Sequence, residues 1–217
     1  MIDVQYGGTK LDLQQYLKDE FVGVSLFDDS FVGKEFAVRI KLEKKLYQLK
    51  DDSDEINPQY FRNVYEKATQ IFNEVFKDND ELYLVAHIRS ELNSKKRKSN
   101  IFNRYLKNTN DKYKLKYKQV LLDDDEKIEQ FSVFLSSKNK INYSMLIKAI
   151  CNQDFRSLQP RFNSKYTYYP EIFFINKNKN VILNIFDDRG CFVLFNNPND
   201  FYSFSEKYNE FLFEEIY

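Results

Sequence analysis

The stretch Glu171 to Phe195, E-I-F-F-I-N-K-N-K-N-V-I-L-N-I-F-D-D-R-G-C-F-V-L-F, limits the folds open to this chain more than any other. Three short runs rich in Ile, Val and Phe are separated by two turn signals, Lys177-Asn178-Lys179-Asn180 and Asp187-Asp188-Arg189-Gly190. Asn and Asp side chains bond back onto their own backbone and so favour turns, and Gly190 is expected to supply a positive φ at no steric cost. The pattern predicts a three-stranded antiparallel meander closed by a C-terminal helix. Asn197-Pro198 starts that helix, and Phe201, Phe204, Tyr208, Phe211 and Leu212 form its apolar side.

Upstream, Leu11 to Phe21 predicts a short helix with Leu13, Leu17 and Phe21 at four-residue steps. Glu35 to Glu43 alternates as a half-buried strand does, with Phe36, Val38, Ile40 and Leu42 on one side. A charged loop, Lys45 to Ile56, leads to a helix over Pro58–Lys77. Asn57 is its N-cap, Pro58 suits the first helical position, and an apolar stripe runs from Phe61 to Phe76. Leu82 to Arg89 follows as a strand, which completes a βαβ unit whose crossover is right-handed if the two strands pair in parallel. Further on, Asn93 to Asn110 holds one short helix around Ile101, Phe102, Tyr105 and Leu106. Lys112 to Lys118 then alternates Lys with Tyr113, Leu115 and Tyr117, predicting a strand with four lysines on one face. The run Asp123-Asp124-Asp125-Glu126 turns it back into a second strand, Gln130 to Ser136. Asn142 caps a helix reaching about Cys151, with Met145, Leu146, Ala149 and Ile150 inward. The expected fold class is therefore a single α+β domain over residues 1–217. It has an N-terminal βαβ half, a central β-hairpin, and a C-terminal antiparallel meander flanked by helices, with a lobe boundary near 93–111.

Composition narrows the setting. Of 217 residues, 42 % are hydrophobic and 30 % charged, the profile of a soluble globular chain. Cys151 and Cys191 lie far apart without ligand-like spacing, which points to a reduced compartment. Met1-Ile2-Asp3-Val4 runs straight into charged residues, so no cleavable signal is expected. No apolar run approaches the roughly 18 residues that span a bilayer. The expected location is cytoplasmic, with no membrane partner. Basic and acidic residues balance at 33 each, yet residues 95–118 hold ten basic side chains and only Asp111 as an acid. A neutral sum conceals a bipolar chain.

Three features lie in the same order as in a bacterial family catalogued as a domain of unknown function and common in Gram-positive genomes. They are the opening helix with its F-A-V-R-I-K-L strand, the helix Y-E-K-A-T-Q-I-F-N-E-V-F, and the ending P-R-F, I-F-F-I-N, I-F-D-D-R-G-C and Y-N-E-F-L. The chain resembles that family over most of its length, and the D-D-R-G hairpin is the most specific part of the resemblance. Phe192 stands where the family pattern, D-D-R-G-x-D-V, carries a further acid. The resemblance implies a cytoplasmic α+β domain and brings no established activity with it.

The chemistry therefore has to come from the residues. Asp187 and Asp188 are candidates for a metal pair, but neighbours near a strand end are expected to point to opposite faces, so a turn role is favoured and no metal is expected. His87, the only histidine, shares a strand face with Tyr83, Val85 and Arg89. It lacks a nucleophile-elbow partner, so a hydrogen-bonded sheet histidine is expected. No glycine-rich phosphate loop, zinc spacing or dinucleotide fingerprint occurs, and no catalysis and no cofactor is expected. The reading that remains is a protein-interaction domain. Its sharpest form is an immunity protein that neutralises a bacterial toxin through Asp123, Asp124, Asp125, Glu126, Arg161, Asp187, Asp188 and Arg189. The alternative is a nucleic-acid-binding accessory protein using Lys95, Lys96, Arg97, Lys98, Lys114, Lys116 and Lys118. Lysines along one strand face also guard an edge against aggregation, and that reading is favoured over nucleic acid.

Overall fold

A computed structural model describes residues 12–28, 33–93, 100–122, 125–162 and 168–213. Its elements, in chain order, are α1 Leu13–Glu20, β1 Ala37–Lys41, α2 Pro58–Val75, β2 Leu82–Glu91, α3 Ile101–Tyr105, β3 Lys116–Leu121 and β4 Glu126–Leu135. Then come α4 Tyr143–Cys151, β5 Glu171–Asn176, β6 Val181–Ile185, β7 Gly190–Phe195 and α5 Pro198–Lys207. The seven strands form one sheet in the order β1-β7-β6-β5-β2-β4-β3. Every neighbouring pair is antiparallel. The fold is α+β.

The meander β5-β6-β7 forms as its turn signals require, and its strands are buried almost throughout. Unbroken Ile, Val and Phe runs, in place of an alternating pattern, mark strands covered on both faces. The period-2 pleat divides them between two cores. On one face Ile172, Phe174, Val181, Leu183, Ile185, Cys191 and Val193 pack with α2 and α4. On the other, Phe173, Ile175, Ile182 and Leu194 pack with Leu13, Leu17 and Phe21 at the four-residue steps of α1. β2 splits in the same way, Leu82, Leu84 and Ala86 facing the large core and Tyr83 and Val85 the small one.

Helix α2 begins where the sequence predicts. Asn57 Oδ1 accepts the backbone N–H groups of Gln59 and Tyr60 at 3.1 and 3.4 Å, with Pro58 in the first position. At the other end Asn176 ties α2 to the meander. Its amide donates to Val75 O and Asp80 Oδ2, and its Oδ1 accepts from the N–H groups of Asn178 and Lys179. One buried amide thus satisfies a helix terminus and a hairpin turn together.

Four expectations change. Strands β1 and β2 bracket α2 but do not pair, because β5, β6 and β7 lie between them in the sheet. The N-terminal βαβ half is thus a wide crossover, completed only by strands that come later in the chain. The lysine-rich alternation does not form a strand over Lys112–Lys118. Residues Thr109–Lys114 coil into a 3-10 helix capped by Asn108, and the strand starts at Lys116. Local Asn and Asp turn chemistry overrides the period-2 pattern there. Met145 lies 39 % exposed rather than inward. Gly190 does not have a positive φ; among the described residues Gly23, Asp52, Asp125 and Asn180 do.

What requires glycine at 190 is close approach. A Cβ there would lie 2.6 Å from Ile40 O and from the Phe186 ring, and 2.8 Å from the Phe213 ring. This is where β1 pairs with β7, Lys41 opposite Gly190. Gly190→Ala should therefore destabilise the fold by about 1–3 kcal/mol or more, as overpacking against backbone does. Urea denaturation checks this, and a loss under about 0.5 kcal/mol, within the range of neutral surface changes, would refute the packing argument.

Candidate functional site

The D-D-R-G segment forms the first site. β6 ends at Ile185 and residues 187–189 form a bend before Gly190 opens β7. Asp187 Oδ1 accepts the Arg189 N–H at 2.7 Å, while its Oδ2 accepts Arg189 Nε at 2.8 Å and also Nη2. Asp188 Oδ2 accepts from the Tyr60 hydroxyl at 2.8 Å and from Gln48 Nε2 at 3.1 Å. Both carboxylates are buried, and Arg189 is mostly exposed. Asp154, just past α4, joins them, and one oxygen from each of the three lies within 4.8 Å of the others. Adjacent carboxylates do not diverge here, because the segment is a bend, to which pleat alternation does not apply.

The electrostatics follow from this crowding. Burial pushes Asp188 above the usual carboxylate range and the Asp187 charge adds to the shift, against the bonds from Tyr60 and Gln48. Asp154 is raised by partial burial and by Asp187. Arg189 is raised by its bond to Asp187. Three oxygens at this spacing suit a hard divalent cation in type and distance. The Arg189 guanidinium, however, already neutralises Asp187 from within, so the cluster balances much of its own charge. The neighbouring Cys151 thiol is fully buried, and its pKa is raised well above normal by burial and then by Asp188, which makes it a poor nucleophile. Nor do Asp187 and Asp188 lie on a surface that a docking partner reaches. Of the residues around the turn, Arg189 and Asp154 do.

His87 sits elsewhere, on the α1 side of β2. Its Nε2 lies 2.9 Å from Gln130 Nε2 on β4, the hydrogen-bonded sheet histidine expected from sequence. The ring is stacked by Phe27 at 4.8 Å and flanked by Phe173 at 5.1 Å. Burial, then the Arg89 charge, lowers its pKa to about 3, so it is neutral at physiological pH. Its Nδ1 has no hydrogen-bond partner.

The charged candidates divide. Lys95, Lys96, Arg97, Lys98, Asp123 and Asp124 lie outside the described residues. Lys114 is held by the buried Asp111 at 2.7 Å, and Lys118 donates to Gln14 Oε1 at 3.2 Å. Lys116 is exposed on β3. Asp125 occupies the β3–β4 turn with φ 64°, its carbonyl accepting from the Leu92 N–H. Glu126 meets Arg89 at 3.6 Å and accepts from Tyr168. Arg161 lies in the loop after α4, where it donates to Phe162 O. The structure thus brings Asp187, Asp188 and Arg189 together and leaves Arg161, Asp125 and Glu126 elsewhere. Sequence reasoning missed Tyr60, Gln48, Asp154, Gln14 and Gln130, which sit on other elements and carry no local motif.

The two ends of the sheet differ. β1 is covered by the chain's own C-terminal segment, through the Ile40–Leu212 bridge and the Phe213 N–H to Arg39 O bond, with the Arg39 guanidinium 4.0 Å above the Phe213 ring. β3 has β4 on one side and no strand on the other among the described residues. Leu121, its last residue, is 62 % exposed, and Tyr113, in the 3-10 helix that precedes the strand, is 90 % exposed.

Comparison with known proteins places this architecture in a family. The model "Domain of unknown function (DUF3885)" matches residues 13–215, nearly the whole chain, and the protein belongs to that family. A relative in Bacillus subtilis (strain 168), named "Uncharacterized protein YnaE", is 29 % identical over 212 residues, covering 94 % of this chain and 98 % of its own. No solved structure matches. Among the described residues no helix is long and apolar enough to cross a membrane.

The buried Tyr60–Asp188 bond yields a pH-dependent expectation. Asp188 is raised above its unfolded value, so keeping it ionised costs stability at neutral pH, and that cost is relieved as pH falls through its folded-state value. The Tyr60 hydroxyl offsets part of the cost by bonding the charged form. Tyr60→Phe should lose about 1.5–3 kcal/mol at pH 7, where the acceptor is charged, and about 0.5–1.5 kcal/mol once Asp188 is protonated. Denaturation curves at falling pH, followed as far into the acid range as the fold holds, check this; a loss that does not shrink as pH falls would refute the charged-acceptor account.

Proposed function

We propose that this protein is a protein-interaction domain that engages its partner along β3 and the β3–β4 hairpin. The observation that carries the reading is the contrast between the sheet's ends: one is sealed by the chain's own C-terminal segment, the other ends in a strand with large exposed apolar side chains. An edge strand with no outer neighbour among the described residues is a hazard that folds normally suppress, so an exposed one supports a role in binding. Near the hairpin end, besides Leu121, lie the part-exposed Leu92, whose N–H bonds Asp125 O, and Tyr168, which donates to Glu126 on the other face of the sheet. Asp125, Glu126 and Glu91 lie around them, and Lys112, Lys114 and Lys116 flank Tyr113 at the other end. Apolar anchors within a charged rim are the usual anatomy of a transient protein interface. In its sharpest form the partner is a bacterial toxin domain, neutralised stoichiometrically, with the acidic hairpin end meeting a basic cleft.

Nucleic acid is the weaker reading, because Lys114 and Lys118 are engaged within the chain. The test is affinity capture of the tagged protein from its own host, with and without nuclease, alongside Leu121→Asp and Tyr113→Asp. A stoichiometric protein partner that survives nuclease and is lost at least tenfold with either variant, thermal stability unchanged, is the expected result. Retention of nucleic acid abolished by nuclease and salt would replace this reading with the alternative. A partner retained equally by both variants would move the interface away from β3.

A further inference from the structure

The sealed end of the sheet carries four cations that rest on aromatic rings and reach no acid among the described residues. Arg39 Cζ lies 4.0 Å from the Phe213 ring centroid and 5.2 and 5.3 Å from those of Phe186 and Phe192. Lys41 Nζ is 5.5 Å from the Phe213 ring, Lys44 Nζ 5.4 Å from Phe211, and Lys67 Nζ 3.8 Å from Phe211. The C-terminal segment thus gathers cations from β1, from the loop after it and from α2. Among the described residues none of the four makes an ion pair or a side-chain hydrogen bond. Lys207 shows the contrast, lying 5.8 Å from the Tyr208 ring and also reaching Glu74 at 2.6 Å. The acid that acts on Lys67 is Glu43, but its oxygens accept from the N–H groups of Lys44, Lys45 and Leu46 and from the Asn63 amide. Partial burial still pulls the Lys67 pKa below normal. Arg39 and Lys44 are exposed, so their charges are open to a ligand.

We propose that this face is a docking surface for an acidic segment of a partner protein, whose carboxylates are bound by Arg39, Lys41, Lys44 and Lys67. A ring engages the face of a guanidinium and leaves the in-plane N–H groups to bond, so Arg39 is held ready for a bidentate carboxylate. Holding the side chain in advance reduces the entropy lost on binding. Arg39 and Lys41 alternate on one face of β1, about 7 Å apart at the rise of a strand. Alternate side chains of an extended acidic segment have the same spacing. Nucleic acid is also an anion but fits less well. The chain has zero net charge, whereas nucleic-acid-binding domains are strongly basic. The rings on which bases would stack are already engaged by the chain's own cations. Because the C-terminal segment closes the main chain of β1, the contact is made through side chains and not by strand addition. This site lies at the opposite end of the sheet from β3, and the inference does not rest on the reading of that edge.

The experiment follows the anisotropy of fluorescein-labelled decaglutamate as the full chain is added, with an oligothymidylate of equal charge and phosphatidylserine vesicles as rival anions. Decaglutamate should bind saturably, more weakly as salt rises, and at least tenfold more tightly than the oligothymidylate. Arg39→Gln with Lys67→Gln should weaken it by about tenfold or more, the loss expected for charge-assisted hydrogen bonds. Lys112→Gln with Lys116→Gln removes the same charge from the β3 end and should change binding by less than about twofold. If Arg39→Gln loosens the aromatic cluster, seen as a lowered thermal stability, Lys41→Gln with Lys44→Gln replaces that pair and the same loss is expected. Glu214→Gln with Glu215→Gln is titrated alongside, so that acids within the chain cannot hide the site by competition. No saturable binding to either the native protein or that variant, an equal loss from the β3 pair, or oligothymidylate or vesicles bound as tightly as decaglutamate would each overturn the proposal.

Discussion

Burial of the central strands on both faces is the constraint on which the rest depends. β2, β5, β6 and β7 present Ile, Val, Leu and Phe to either side, and a sheet with two apolar faces needs two covers. Helices α2 and α4 pack against one face. The other is covered by α1 and the chain that follows it through Leu26, a smaller set of side chains. The C-terminal segment answers a different need, sealing the outer edge of β1 and wedging Phe213 against Arg39 beside Gly190. A glycine at that point lets two strands, an aromatic pair and the chain end meet without a Cβ between them.

The polar groups inside this frame are handled in two ways. The D-D-R-G bend draws carboxylates inward and satisfies them at once, Asp187 by Arg189 and Asp188 by Tyr60 and Gln48. Its function within the chain is to bind the β6–β7 turn to the start of α2, and its charge is largely spent there. The network through Lys118, Gln14, Gln130 and His87 is arranged differently. Each amide's orientation is set by the one before it, and the last nitrogen of the series, His87 Nδ1, is buried without a hydrogen-bond partner. A satisfied buried cluster stabilises a fold, whereas an unsatisfied one held in place costs stability unless something else completes it.

Much of the architecture was legible because periodicity and capping are local. Asn57-Pro58 announced α2, the four-residue steps of Leu13, Leu17 and Phe21 announced α1, and the two turn signals between Ile-, Val- and Phe-rich runs announced the meander. The stretch Lys112–Lys118 was misread because its alternation resembles a strand while Asn108 and Asp111 favour a tight turn. Gly190 was expected to supply a positive φ, which it does not; what it provides is close approach to Ile40, Phe186 and Phe213, which leaves no mark in the sequence. The same limit hid Asp154 from Asp187 and Asp188, and Gln14 and Gln130 from His87. Their meeting depends on strand order and on where helices are laid down.

The sequence by itself determined most of the helices and strands, Lys112–Lys118 excepted, and where the two turns of the meander fall. Those properties come from spacing and side-chain type over a few residues. Only the tertiary structure decided that the meander inserts between β1 and β2, that the β1 edge is sealed while β3 has no outer neighbour among the described residues, and that the buried His87 meets Gln130 and, through it, Gln14. These are consequences of pairing and packing between residues distant in the chain, which no local pattern encodes.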